Sequence, residues 1–393
     1  MLVEVLAAVA LAAWVAVLLL PSQSWRTRER LTPELLVPDP ISGGSSSDHE
    51  TPGIDLAAVT VLIPARNEAD AISATLLGLT RQGSNLKVLV VDDQSDDETT
   101  AISLAANAAF AAPLDLRVIE GQTLPPGWGG KLWALDQGLV QVETDFCLLL
   151  DAEIVLAPGV LGALLDKAEQ ENRALTSVMA RLRCQSFWEK LLVPPFIFFF
   201  KLLYPFGKVN DPSSRTAAAA GGCILIRTEV LRAIGGFASM RDALIDDCTL
   251  AARVKRAGYS IWLGLSESVM SSRAYPDFAS FRHMVTRTAF TQLNYSVILL
   301  VLVLDVMAIV FIAPLVALVF SSEPWGAIAG GSAIAAMAVA FWPTIRFYRL
   351  APAWALTLPV AGILFLVMTL ESALRYWRGV TAEWKGRTYN SRS

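Results

Sequence analysis

The chain has 393 residues, of which 54% are hydrophobic and only 17% charged, a balance too apolar for an ordinary water-soluble protein. Its formal net charge of -4 and pI near 5.4 give no footing for nucleic acid, so the large partner to expect is a lipid bilayer. Cys147, Cys184, Cys223 and Cys248 form no C-x-x-C pair, which argues against a disulfide framework or a zinc site and for reduced, buried thiols. Two histidines, His49 and His283, are too few for a histidine-based metal centre.

Leu2 to Leu20 is apolar apart from Glu4 and long enough to cross a bilayer as one helix. Arg26, Arg28 and Arg30 follow it, so residues 1–21 read as an anchor rather than a cleaved signal, with the next domain in the cytoplasm. Residues 22–57 read as a linker, its flexible part being Pro38 to Gly53. From Val59 strands and helices alternate. V-T-V-L-I-P reads as a buried strand, and Ile72, Leu76 and Leu79 share one helical face. K-V-L-V-V, a helix after Asp97, a strand near Leu116 to Ile119, a helix from Lys131 and the Cys147 strand complete the run. That order predicts an α/β domain over residues 58–295, a mostly parallel sheet with helices on both faces.

The central stretch is C-L-L-L-D-A-E-I-V, Cys147 to Val155, where an apolar strand stops at Asp151 and Glu153. Side chains two apart on an extended chain point the same way, so both carboxylates can meet one Mg²⁺ or Mn²⁺. An acidic turn after a core strand is the plain alternative. Pro64-Ala-Arg66-Asn67-Glu68 ends the first strand and Asp92-Asp93-Gln94-Ser95-Asp96-Asp97 the second. A carboxylate at that second tip can accept hydrogen bonds from a ribose hydroxyl or a base N–H. Helix capping accounts for Asp96 or Asp97 but not for Asp92 and Asp93. No G-x-G-x-x-G is present, which removes the main support for a nicotinamide or flavin site.

Pro125 to Gly130 followed by Lys131 reads as a tight loop opening a helix, an anion site suited to a diphosphate, although such loops also occur without ligands. Ala217 to Gly222 is a small-residue approach to a further strand. Asp246 and Asp247 open another helix, where they either favour the macrodipole or hold a catalytic base.

Trp188 to Phe206 is apolar but interrupted by Pro194, Pro195 and Pro205. It reads as an interfacial segment with Lys190 and Lys201 at headgroup level and its aromatics in the acyl layer, the alternative being a core helix pair. Val297 to Phe320, Trp325 to Trp342 and Pro352 to Leu370 are each of spanning length, giving a membrane region over residues 296–371 and a basic tail over 372–393. Arg346 and Arg349 place the last inter-helix loop inside. Counting spans then puts the tail outside, whereas Arg378, Lys385, Arg387 and Arg392 argue for inside. A re-entrant stretch reconciles the two, and Pro352 and Pro359 mark the last one.

R-N-E, V-V-D-D-Q-S-D-D, G-K-L-W-A-L, L-L-D-A-E, A-G-G-C and I-D-D-C-T-L-A, in this order from about Val59 to Ser296, resemble the family 2 glycosyltransferases of GT-A fold. P-P-G-W-G-G-K-L-W-A with R-T-A-F-T-Q-L is similar to the hopanoid (hopene)-associated members and, more distantly, to ceramide glucosyltransferases, and E-W-K-G-R-T-Y resembles the tails of related lipid glycosyltransferases. The resemblance implies a UDP-sugar donor with Asp93 at the uracil, Asp151 and Glu153 around the metal, and Asp247, with Asp246 beside it, as base. Pro64, Arg66, Glu68, Asp92, Lys131 and Arg287 would complete the donor site. Glu153 stands where the family usually has Asp. The Q-x-x-R-W motif is reduced to Met284-Val-Thr-Arg287-Thr288, which argues against a processive polysaccharide synthase. The implied enzyme is inverting and metal-dependent, moving a hexose to a membrane lipid from the cytoplasmic face of a bacterial inner membrane. The competing class is a membrane binding or transport protein that keeps the nucleotide fold without chemistry.

Overall fold

The computed structural model describes residues 1–33, 54–380 and 383–388. The expected linker from Pro38 to Gly53, with His49, and the tail residue Arg392 lie outside the described residues. The chain opens with α1 (Leu2–Leu19). The α/β part runs β1 (Val59–Ala65), α2 (Ile72–Leu79), β2 (Lys87–Asp92), α3 (Thr99–Ala109), β3 (Asp115–Glu120), α4 (Gly130–Leu139), β4 (Phe146–Leu150) and β5 (Ile154–Leu156). It continues with α5 (Val160–Gln170), β6 (Leu175–Arg181), α6 (Phe187–Leu203), α7 (Phe206–Asn210), β7 (Cys223–Arg227), α8 (Thr228–Ala233), α9 (Asp246–Arg256), β8 (Ile261–Ser271) and α10 (Phe278–Thr288). Then α11 (Val297–Met307) passes through a π turn into α12 (Ala313–Phe320), followed by α13 (Pro324–Phe347), α14 (Leu358–Trp377) and a hairpin of β9 (Glu383–Trp384) and β10 (Arg387–Thr388).

The main sheet has the order β3-β2-β1-β4-β7-β6-β8-β5. β1 pairs in parallel with β2 and β4, and β2 with β3, as the alternating pattern predicts. β1 is buried along its whole length, matching its unbroken apolar run. Beyond β4 the sheet becomes mixed: β6 pairs in parallel with β8, whereas β7 is antiparallel to both β4 and β6, and β5 to β8. The chain leaves β6 and enters β7 at the same end of the sheet, so β7 has to run back. One apolar layer, with Leu132, Leu135, Leu192 and Leu250, covers one face, and another, with Leu76 and Leu161, covers the other.

Among the described residues, four stretches are long and apolar enough to cross a membrane: Leu2–Leu19, Val297–Phe320, Pro324–Phe347 and Pro352–Trp377. Trp14 of α1 packs against Phe198 and Phe311, and Glu4 Oε1 accepts a hydrogen bond from Ser321 Oγ at 3.2 Å, so the start of α1 meets the turn between α12 and α13. The basic stretch after α1 is not wholly linker. Leu31 N–H donates to the Leu265 carbonyl (2.9 Å) and Leu265 N–H to the Glu29 carbonyl (2.8 Å), adding residues 29–31 to the edge of β8.

The interfacial reading of Trp188 to Phe206 also needs correcting. α6 continues through Pro194 and Pro195, and each proline forfeits a helical hydrogen bond at a cost of about 3 kcal/mol. Burial of Leu191, Leu192, Val193, Ile197 and Phe198, with a capping box between Ser186 and Glu189, offsets that loss. Phe198 stacks into the membrane-length helices against Phe341, and Phe199 against Phe311 and Phe365, so these rings pack on protein. Lys201 is buried and donates to the Arg26 carbonyl instead of standing at headgroup level.

α14 touches the α/β side at both ends. Trp354, just before it, packs on Phe187, and in its last turns Ser372 Oγ accepts from Phe290 N–H (3.0 Å) and donates to the Thr286 carbonyl (2.7 Å). The hairpin that follows lies against the α/β part.

Candidate active site

The polar groups gather where β1, β2 and β4 end. β4 stops at Leu150, and Asp151 and Glu153 stand in a turn closed by Ile154 N–H donating to the Asp151 carbonyl (2.9 Å). Because this is a turn and not extended chain, the carboxylates take separate partners. Asp151 Oδ1 meets Lys131 Nζ at 2.7 Å, and Glu153 Oε2 meets Arg273 Nε at 2.8 Å. Lys131, one residue into α4, also reaches Asp246 Oδ2 at 3.4 Å. Burial works against the lysine charge, but the two carboxylates outweigh it and hold its pKa above the ordinary value. Burial pushes Glu153 up to about 7, with Arg273 pulling it down and Asp151 and Glu68 adding like charge. Among the described residues no three acidic, histidine or cysteine groups form a ready metal cage. Two hard oxygen ligands in one turn, under the field of a third carboxylate, nevertheless fit a divalent ion that keeps its other positions for water and phosphate.

Asp247, in the first turn of α9, accepts from Gly221 N–H on Oδ2 (2.8 Å) and from Cys248 N–H on Oδ1 (2.7 Å). Burial first, and the charge of Asp246 second, push its pKa up to about 6. The small-residue run before β7 is explained here. A methyl on Gly221 would stand 3.2 Å from Asp247 Oδ2, and one on Gly222 would stand 3.0 Å from Ile154 Cδ1. Pro64, Lys131, Asp151, Gly221, Asp246 and Asp247 line one cleft.

At the tip of β2, Asp92 turns inward: Ser95 N–H (3.0 Å), Ser95 Oγ and Thr100 Oγ1 all donate to it, which makes it a brace for the loop. Asp97, one residue before the N-cap of α3, accepts from Thr99 N–H (3.0 Å) and Ala69 N–H (3.2 Å), tying the start of that helix to the loop after β1. Arg66 is woven into the same loop through the Asp93 and Gln94 carbonyls and Asp96 Oδ2 (3.2 Å). Arg287 sits in the last turn of α10, its charge acting on the Tyr275 hydroxyl beside Arg273, and its buried Nε has no hydrogen-bond partner among the described residues.

The feature that sequence reasoning missed is what covers Asp93. This carboxylate is fully buried, and Arg387 of the tail hairpin grips both of its oxygens, Nε to Oδ2 and Nη2 to Oδ1, each at 3.1 Å. Nη2 also donates to Gln94 Oε1 at 2.8 Å. Lys385 Nζ pairs with Glu68 Oε1 and donates to the Asn67 carbonyl, each at 3.0 Å, while its own carbonyl accepts from Arg66 Nε at 2.9 Å. Trp384 lies over Gly130, where a methyl would stand 2.9 Å from its Cε3. Burial pushes up both Glu68 and Asp93, and the tail cations pull them back. The available signal was the pair of basic residues flanking Gly386, matched to the acidic tips of β1 and β2.

Residues 57–291 match the sequence profile described as Glycosyltransferase like family 2. The chain belongs to that family. This family 2 chain is similar to the 4,4'-diaponeurosporenoate glycosyltransferase of Staphylococcus aureus (strain MRSA252), with 27% identity over 201 residues, 50% of each chain. It is also similar to that of Staphylococcus haemolyticus (strain JCSC1435), with 29% identity over 136 residues, 34% of each chain. The chain thus spans half the length, or less, of the curated relatives it matches. Among solved structures, the mannosyltransferase PcManGT from Pyrobaculum calidifontis, in complex with GDP-Man and Mn²⁺, shares 18% identity with a TM-score of 0.55, covering 95% of this chain and 99% of that chain. The fold is therefore GT-A-like, with apolar helices of membrane-spanning length at both ends.

Proposed function

We propose that this glycosyltransferase is a membrane-bound, inverting enzyme that moves a hexose from UDP-sugar to a lipid hydroxyl, with Mg²⁺ or Mn²⁺ held by Asp151 and Glu153. The observation that carries the reading is Asp247, a desolvated carboxylate presented by Gly221 and Cys248 N–H in the cleft that also holds Lys131 and Asp151. Its two hydrogen bonds orient it, and burial leaves it basic enough to take a hydroxyl proton near neutral pH. Lys131 positions Asp151 and offsets negative charge at the start of α4, where diphosphate oxygens would meet helix N–H groups. When bound, a divalent ion would neutralise the leaving nucleoside diphosphate. Asp93 would accept the base N–H, a contact available to both uracil and guanine. PcManGT holds GDP-Man with Mn²⁺, and the sequence resemblance favours UDP.

The staphylococcal relatives name a lipid acid as acceptor, whereas the hopanoid resemblance names an alcohol. A carboxylate arrives without a proton to lose. Asp247 would have no work on it, so the site favours an alcohol. The domains then read as an anchor at 1–21, a cytoplasmic catalytic domain ending near 295, and a membrane region behind it. The test is protein in lipid nanodiscs with radiolabelled UDP-sugar and bacterial lipid extract. Label should enter a glycolipid, stop on chelation and resume with Mn²⁺. Label found only in water-soluble polymer, or turnover indifferent to chelator, overturns the reading.

A further inference from the structure

We propose that the Glu383–Thr388 hairpin is part of the donor site: Lys385 and Arg387 exchange their carboxylate partners, Glu68 and Asp93, for the phosphate oxygens of an entering nucleoside diphosphate. This rests on the donor reading above. Arg387 engages both oxygens of Asp93, so a base N–H reaches that carboxylate only if the guanidinium leaves. A freed guanidinium keeps its planar fork, and that fork matches two phosphate oxygens as well as it matches a carboxylate. Each cation already has a carboxylate partner that a phosphate oxygen can replace like for like. Arg66, Lys385 and Arg387 face Asp96, Glu68 and Asp93, so the three cations are gathered at the tips of β1 and β2 before a diphosphate arrives.

The hairpin is built to deliver both cations together. Trp384 pairs with Arg387 across a two-residue turn, and Lys385 (φ 50°) and Gly386 (φ 80°) both take the left-handed conformation that such turns require. Trp384 covers Gly130, the first residue of α4, so the same unit already sits at the expected phosphate end of that helix. Gly379, with φ 75°, caps the end of α14, its N–H donating to the Tyr376 carbonyl at 3.0 Å, and so ends the helix just before the hairpin.

The test uses the full chain in nanodiscs with Mn²⁺ and measures the binding of UDP and of uridine by calorimetry. Arg387→Ala should weaken UDP roughly ten- to hundredfold, the usual worth of a charge-assisted hydrogen-bonded contact, and should tighten uridine, because Asp93 is released. Arg387→Lys should fall between, having charge without the fork. Gly130→Ala, which displaces Trp384 while keeping both cations, should also weaken UDP. Hydrogen exchange across the hairpin should slow when UDP is added. If UDP and uridine both bind more tightly to Arg387→Ala, the hairpin is only a plug and the proposal is overturned. Unchanged binding of both overturns it as well. A wild-type protein that binds no nucleoside diphosphate would instead remove the donor reading itself.

Discussion

Asp247 offers the sharpest test of the chemistry, through the pH dependence of turnover. A general base acts in its deprotonated form, so a pKa raised to about 6 places the acid limb of the profile near that value. About a tenth of the sites would then be active at about pH 5 and about nine-tenths at about pH 7, whereas an ordinary aspartate near 3.9 would be more than nine-tenths active across that range. Asp246→Asn removes the like charge that helps to raise this pKa, so it should move the limb toward lower pH. Asp247→Asn should cost about 10²- to 10⁴-fold in kcat, or roughly 3–5 kcal/mol of barrier, with donor affinity nearly unchanged. The assay is the initial rate of glycolipid formation at saturating donor, in buffers of constant ionic strength. A rate that stays flat from about pH 5 to pH 8, or an Asn variant keeping more than about a tenth of wild-type turnover, would refute Asp247 as the base.

Glu153→Gln leaves the turn with one charged oxygen ligand, so the Mn²⁺ concentration for half-maximal turnover should rise; an unchanged titration would remove Glu153 from the metal site. Phe198→Ala empties a fully buried position between Trp14 and Phe341 and should cost about 3–5 kcal/mol, seen as a lower Tm in detergent. Phe187, 61% exposed at the start of α6, is the residue whose change to serine should raise the lipid KM while sparing stability; a large loss of Tm would contradict this. If α14 does not cross the bilayer, cysteines at Ser322 and Val380 should react with a membrane-impermeant maleimide from opposite sides, and labelling from one side would refute that topology.

The first half of the sheet was legible because its strands are short apolar runs ending in polar clusters, and the chain meets those clusters in sequence order. Lys131 and Asp247 were legible as helix-start residues. Local signals end there. The reversal at β7 depends on where α6 and α7 return the chain, and α6 survives two prolines only because tertiary burial outweighs their local cost. The geometry of Asp151 and Glu153 was misjudged because a turn replaces the extended chain that would have aimed them alike. Arg387 lies 294 residues from Asp93, and no periodicity or spacing rule reaches that far.

The attachment of residues 29–31 to the edge of β8 ties α1 to the sheet at short range. The chain is fixed to the same body again at Leu56, whose N–H donates to the Ser84 carbonyl at 2.9 Å. α1 is therefore tied to the sheet within about ten residues of its end. The position of the cleft relative to α1 is set by packed helices and sheet edge, as in a tool bolted to its bench. Inserting or removing residues between Leu31 and Leu56 should leave the placement of the α/β part relative to α1 unchanged.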